Sequence, residues 1–129
     1  MSVLTASEIA ELEKECSLIL ENDDVKFVGG INNLGNLIAG GFSKKMKSVG
    51  SEQTWKMMYM QLKLDIEMRK DYDELFGPVR YVISKRRDVE KISIPVGSHM
   101  ILVITKLNFE IAKIEEIIAT FKSILDNSS

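Results

Sequence analysis

The chain has 129 residues, of which 45% are hydrophobic and 28% are charged, and its formal net charge is -2 at pH 7. These values predict one globular domain over residues 1–129, with an ordered core over residues 5–125. The charge argues against a generic nucleic-acid binder, and the single cysteine excludes an internal disulfide. We expect no signal peptide, since the N-terminus lacks a basic region. No apolar run approaches the roughly 20 residues of a membrane span, so we expect a cytoplasmic protein.

The first predicted elements are a helix and a hairpin. Apolar residues recur at helical spacing over residues 5–22, and Thr5 with Glu8 has the form of a capping box. Two β-type runs, residues 25–31 and residues 36–42, then flank "NNLGN", whose asparagines and glycine tolerate the backbone angles of a tight turn.

Four glycines lie in the predicted hairpin, as the pairs Gly29-Gly30 and Gly40-Gly41. If the turn centres on Gly35, the two pairs lie opposite each other and leave a bare patch in the sheet. The patch either lets a helix approach closely or forms a small-molecule pocket between the hairpin and a long helix. The motifs of phosphate-binding loops are absent from the sequence.

The rest of the chain alternates between helix and strand. A long helix is predicted from residue 52 to residue 75, where "FGP" stops it. Strands are then predicted over residues 79–84, 89–95 and 100–105, and a last helix over residues 108–125 with Asn108 as its cap. The third of these strands, "MILVIT", is apolar on both faces and therefore belongs in the middle of a sheet. The prediction is an α/β (α+β) fold of order α-β-β-α-β-β-β-α, with a five-stranded antiparallel sheet and helices on both faces.

The long helix is apolar on two opposite sides. At about 100° per residue, one stripe contains Trp55, Met58, Tyr59, Leu62 and Ile66. The other stripe, about 180° away, contains Met57, Met60, Leu64, Met68 and Leu75. One stripe covers the sheet, and the sequence leaves open which. An exposed stripe of large apolar side chains is typical of a contact with another chain, and methionine suits such surfaces. We assign the second stripe to association and expect Tyr72 and Phe76 to fasten the end of this helix to the sheet.

The element order and the segment "FVGGINNLGNLIAGGF" resemble the Roadblock family of dynein light-chain type, over residues 5–125. The same segment, with "MQLKLDIEMRKDYDE", is also similar to a group of small archaeal proteins. The Roadblock resemblance implies a Roadblock/profilin-like fold and a dimer in which the long helices pair and the edge strand after them meets its mate. The dimer contacts would then be Met57, Met60, Leu64 and Met68 with the edge residues Arg80, Tyr81, Val82 and Ile83. It also implies a non-catalytic scaffold, often one that acts with small GTPases.

Few residues are candidates for chemistry. His99 is the only histidine and is expected in or near a surface turn, and Cys16 lies on the apolar stripe of the first helix. One histidine and one cysteine cannot build a zinc site of the usual type, so no metal or cofactor is predicted. Two basic clusters, Lys44-Lys45 with Lys47 and residues 85–87, are expected to be solvated loops. A nucleic-acid partner is disfavoured, because no aromatic residue lies nearby to stack on bases.

The sequence therefore predicts a homodimeric, non-catalytic scaffold or regulatory protein-binding domain of Roadblock-like type. The alternative is a small-ligand sensor whose pocket is formed by Gly29, Gly30, Gly40 and Gly41 beside the long helix. The partner or ligand, the pathway and the choice between homodimer and heterodimer are left open by the sequence.

Overall fold

The computed structural model describes residues 4–44 and 50–125. In chain order the helices and strands are α1 (Ala6–Ile19), β1 (Val25–Ile31), β2 (Leu37–Phe42), α2 (Glu52–Arg69), a 3₁₀ turn (Lys70–Tyr72), α3 (Asp73–Phe76), β3 (Val82–Lys85), β4 (Glu90–Val96), β5 (His99–Thr105) and α4 (Ile111–Leu125). The predicted order and the five-stranded antiparallel sheet are confirmed.

The sheet has the order β2-β1-β5-β4-β3, and each neighbouring pair is antiparallel. β5 lies in the centre between β1 and β4, and all seven of its residues are buried. This placement follows from the apolar run "MILVIT", which needs cover on both faces of the sheet. β2 and β3 are the two edges.

Two apolar layers hold the helices on the sheet. On one face, Leu12 and Cys16 of α1 and Phe121 of α4 pack with Ile92 and Ile101 of the sheet. On the other face, α2 packs against a second layer. That second layer contains Phe27, Ile31, Tyr59, Ile66, Met100, Leu102 and Ile104. The alternation of side chains along each strand supplies both layers, because successive residues point to opposite faces.

Local signals fix the helix ends. Thr5 Oγ1 accepts the Glu8 N–H at 3.1 Å, and Glu8 Oε1 accepts the Thr5 N–H at 2.9 Å, so the predicted capping box is present. Ser51 Oγ accepts the Thr54 N–H at 3.1 Å and begins α2. Gly77, at a φ of 81°, follows α3 and ends the helical segment. Side-chain acceptors at the start and a positive φ at the end are the usual solutions for unpaired backbone groups.

Several boundaries differ from the prediction. The long helix does not continue to residue 75, because a 3₁₀ turn at Lys70–Tyr72 separates α2 from the short α3. β3 begins at Val82, three residues after the predicted start. α4 begins at Ile111, and Asn108 does not cap it. Instead Asn108 has a φ of 61° and its N–H donates to Glu90 Oε2 at 2.5 Å.

Candidate functional site

One of the two apolar stripes of α2 is buried against the sheet, and the exposed fractions of its side chains show which one. Tyr59 is 7% exposed and Ile66 is 1% exposed, and Trp55, Met58 and Leu62 pack against the same layer. The stripe that contains Trp55 is thus the one that faces the sheet. Burying a large apolar side chain contributes about 1.5–3 kcal/mol, so this stripe fixes the rotation of the helix about its axis.

Four aromatic rings anchor the first half of α2. The Trp55 ring is stacked on Phe27, with centroids 5.9 Å apart and an interplanar angle of 13°. Phe42 meets Trp55 edge-on at 4.6 Å and Phe27 edge-on at 5.0 Å. Tyr59 lies 6.0 Å from Phe27, and burial raises the pKa of its hydroxyl. Offset-stacked and edge-to-face geometries are the favourable ones for such rings. The aromatic cluster therefore opposes rotation of α2 about its own axis.

The outer side of α2 carries the other stripe, which we call the outer row: Met57, Met60, Leu64 and Met68. Their exposed fractions are 53%, 46%, 58% and 69%. The helix presents these residues one above another, because they recur at spacings of three and four. The structure therefore leaves a strip of large apolar surface along the helix in the single chain.

Further exposed apolar side chains follow α2 in the chain, on the 3₁₀ turn and α3. Tyr72, Leu75 and Phe76 are 59%, 75% and 83% exposed. The expectation that Tyr72 and Phe76 fasten this end to the sheet was wrong, because both rings are mostly exposed and neither packs in the apolar layer beneath α2. The periodicity of the sequence placed Leu75 on the stripe but gave no signal for the turn.

Charged residues lie beside the outer row and pair with one another. Glu67 accepts Lys63 Nζ at 2.7 Å and Lys70 Nζ at 3.1 Å. The hydrogen bond from Lys63 is the main reason that the pKa of Glu67 is lowered. On the same helix, Arg69 Nε lies 3.1 Å from Asp65 Oδ2. These pairs keep the charges on the flanks of α2, so they do not interrupt the apolar strip.

Of the four residues predicted to form the pairing edge, two lie in β3 and two precede it. Val82 and Ile83 lie in the edge strand β3 and pack on the two opposite faces of the sheet. Arg80 and Tyr81 precede the strand. Tyr81 packs against the layer beneath α1 and α4, and Arg80 Nη2 contacts Glu115 Oε1 of α4 at 2.5 Å. The described chain hydrogen-bonds only one side of β3.

The glycine pairs do not form the predicted bare patch. Gly29 pairs with Gly40, but Gly41 pairs with Val28 and Gly30 with Ala39, and the register shifts between Gly30 and Ile31. Gly29 and Gly30 are buried. Gly40 and Gly41 line a groove of about 690 Å³ whose other wall is α1 rather than α2. The four glycines are therefore brought together in the sheet but do not share a cavity beside the long helix.

The two candidate reactive side chains are both buried. Cys16 is 1% exposed in the layer beneath α1, as expected, and burial, with Glu13 and Glu15 nearby, raises the pKa of its thiol to about 12. His99 directly follows the turn at residues 97–98, as expected, but it is the first residue of β5 and 4% exposed, so the expectation of a surface residue was wrong. Burial is the main cause that lowers the pKa of His99, and Lys63 adds to it. Neither residue is placed for nucleophilic or acid–base work on a solvent-borne substrate.

The basic clusters are only partly described. Lys44 is exposed, while Lys45 and Lys47 lie outside the described residues. Lys85 is the last residue of β3, and Arg86 and Arg87 lie in the turn before β4. Within residues 4–44 and 50–125, no group of three or more His, Cys, Asp or Glu is placed to hold a metal ion. No helix in the same ranges is long and apolar enough to cross a membrane.

Solved structures share this architecture. The MglB protein of Myxococcus xanthus is 13% identical, covers 98% of this chain and 96% of its own, and superposes with a TM-score of 0.72. A Roadblock/LC7 domain from Streptomyces avermitilis is 10% identical, with 90% and 95% covered and a TM-score of 0.69. An MglB structure with a tetrameric arrangement is 10% identical, with 99% and 97% covered and a TM-score of 0.77. At these identities the likeness shows the fold alone.

The sheet order, the placement of the helices and these likenesses define a Roadblock-like domain. Residues 4–125 match a protein family described as a family of unknown function (DUF6659), and the chain belongs to that family. No curated protein sequence matches the chain.

Proposed function

We propose that this protein is a homodimeric, non-catalytic scaffold or regulatory domain, in which the outer row of α2 is covered by a second copy of the chain. The observation that carries the proposal is the exposure of Met57, Met60, Leu64 and Met68 on a helix whose opposite side is already buried against the sheet. Exposed apolar strips of this kind are typical of contacts between proteins.

The size of the apolar strip supports association. Covering the outer row together with Tyr72, Leu75 and Phe76 would contribute on the order of 10 kcal/mol for each copy, at about 1–2 kcal/mol for each partly exposed side chain, and a homodimer covers the strips of both copies. Association costs about 4–15 kcal/mol in lost freedom of motion. The strips of two copies can therefore outweigh this cost, and a second contact would strengthen the dimer further.

The edge strand β3 offers that second contact. Val82 and Ile83 belong to a strand with one unpaired side in the described chain. Unpaired strand edges favour pairing with another strand. A two-fold axis beside β3 would join two sheets and bring two α2 helices together, which is the arrangement that the Roadblock resemblance implies. The tetrameric arrangement named for one MglB structure is in keeping with subunit contacts on this fold.

A scaffold acts through a third surface, and the Roadblock resemblance suggests a small GTPase as the partner. The absence of a solvent-accessible nucleophile or acid–base pair at the buried Cys16 and His99 supports a role in binding. We place the protein in the cytoplasm, which suits the free thiol of Cys16.

The test is the mass of the chain in solution. We expect the wild type to sediment at twice the 14.6 kDa of one chain at micromolar concentration. Leu64→Glu places a charge in the middle of the outer row and should shift the mass to that of a monomer with unchanged helical circular dichroism. Met57→Glu repeats the test at a second position.

The matched control is Ile111→Glu. Ile111 is 61% exposed, so this variant makes the same chemical change on α4, which packs on the opposite face of the sheet. It should stay dimeric. A monomeric wild type, or folded Leu64→Glu and Met57→Glu variants that remain dimeric, would overturn the proposal.

A further inference from the structure

A groove of about 630 Å³ lies between the first half of α2 and the turn from β3 to β4. Trp55 and Met58 line it from α2, and Arg86, Arg87 and Asp88 line it from the turn. Lys91 of β4 lines its floor. Small-molecule sites have volumes of about 300–1,000 Å³ and combine apolar walls with a few convergent polar groups, and this groove has both properties.

Lys91 enters the groove because of its place in β4. Its neighbour Ile92 points to the layer beneath α1 and α4, so Lys91 points to the face that α2 covers. Lys91 Nζ lies 3.8 Å from the sulfur of Met58, and no carboxylate of residues 4–44 or 50–125 forms an ion pair with it. Burial, and then the positive charge of Arg86, lowers the pKa of Lys91. A partly buried ammonium group with a thioether as its neighbour lacks a compensating anion.

The turn leaves further positive charge unmatched. Arg87 is paired with Asp88, with Nε 3.0 Å from Oδ1 and Nη2 3.0 Å from Oδ2. Asp88 is the acidic residue that lines the groove, so Arg86 and Lys91 remain as two cations without a carboxylate in the described chain. Two such cations match a dianion better than a singly charged carboxylate, and arginine and lysine both bind phosphate.

We propose that this groove binds a small organic phosphate with an aromatic body, whose phosphate lies between Lys91 and Arg86 and whose ring lies along Trp55. Trp55 supplies aromatic surface to the wall of the groove, and aromatic rings pair in offset-stacked or edge-to-face geometry. The site is separate from the glycine pairs and from the outer row, and it does not rest on the proposed dimer.

The experiment uses the full-length protein and the fluorescence of Trp55, which is the only tryptophan in the chain. Phenyl phosphate and adenosine monophosphate are the probes, and each is titrated with calorimetry as a second measurement. Saturable quenching or a spectral shift is expected with both. Phenol and adenosine, which lack the phosphate, should bind at least about tenfold more weakly, because they cannot form the charge-assisted hydrogen bonds to Lys91 and Arg86.

Variants assign the binding to this groove. Lys91→Met keeps the length and the contact with Met58 but removes the charge, and it should weaken binding of phenyl phosphate at least about tenfold. Arg86→Gln should weaken it in the same direction. Lys14→Met is the matched control, because Lys14 is exposed on α1 on the other face of the sheet, and it should leave the affinity unchanged.

The proposal fails if neither probe binds at millimolar concentration, or if binding persists in a folded Lys91→Met variant. It also fails if inorganic phosphate binds as tightly as phenyl phosphate, because the aromatic wall then contributes nothing. Sedimentation with and without phenyl phosphate measures the mass of the chain independently of binding. A failure of the proposed phosphate site is therefore distinguishable from a failure of the proposed dimer.

Discussion

Gly35→Ala tests the contact between the hairpin turn and α2. Gly35 has a φ of 80° and is buried, and a Cβ added to it would lie 2.7 Å from Met60 Cγ and 3.3 Å from Met60 Cα. The methionine side chain can move aside, but its Cα belongs to the helix backbone and cannot. The substitution therefore forces the turn and the helix apart.

The turn cannot easily yield. Asn32 Oδ1 accepts the N–H groups of Leu34 and Asn36, each at 3.0 Å, and Asn32 O accepts the Gly35 N–H at 3.0 Å. A left-handed backbone costs a residue with a Cβ about 1–2 kcal/mol, and an overpacked contact adds about 1–3 kcal/mol. We expect Gly35→Ala to lower the free energy of unfolding by about 2–5 kcal/mol.

Gly50→Ala separates the two contributions. Gly50 has a φ of 88°, but an added Cβ there would meet only ordinary contacts at 3.8 Å, to Thr54 and Trp55. It should therefore cost about 1–2 kcal/mol. Urea unfolding followed by circular dichroism gives both values from the linear dependence of stability on denaturant. Equal losses in the two variants would refute the close approach of the turn to α2.

Two further predictions concern the buried titratable groups. Burial holds the pKa of His99 below its ordinary value of 6.5, so the unfolded chain takes up a proton first and stability is lost as the pH falls below about 6.5. His99→Gln should reduce that loss in urea titrations between about pH 7 and pH 5, and an identical pH dependence would contradict the assignment. The thiol of Cys16, with its pKa raised to about 12, should react with a disulfide reagent at about pH 8 only when the chain unfolds. Immediate reaction of the native protein would show that α1 does not bury it.

The sequence predicted the elements well because their signals are local. The capping box at Thr5 and the stop at Gly77 each depend on a few neighbouring residues, and the apolar run of β5 allows one position in a sheet. Helical periodicity separated the two stripes of α2. It could not say which stripe meets the sheet, since that choice depends on Phe27 and Phe42, which are distant in sequence and stack with Trp55.

The predictions that failed depend on contacts between distant segments. His99 looked like a turn residue, but pairing of β5 with β4 draws it into the sheet and buries it. The sequence does not mark the 3₁₀ turn at Lys70–Tyr72, and the rings of Tyr72 and Phe76 lie exposed at this end of the helical segment. The glycine register missed by one residue because the turn does not centre on Gly35: Ile31 pairs with Leu37, and beyond the shift between Gly30 and Ile31 the partner of Gly29 is Gly40 and not Gly41. The groove at Lys91 could not be predicted for the same reason, because it lies between β4 and α2, which are more than 20 residues apart in the sequence.

The strand order constrains how the protein can be made. β1 pairs with β5, and Val28 lies opposite Val103 at a separation of 75 residues along the chain. On a ribosome, the centre of the sheet cannot close until the last strand has emerged, so the early hairpin and α2 wait with their apolar sides uncovered. Such long-range closure slows folding, and it leaves these apolar sides in contact with water for the time that translation takes to reach β5.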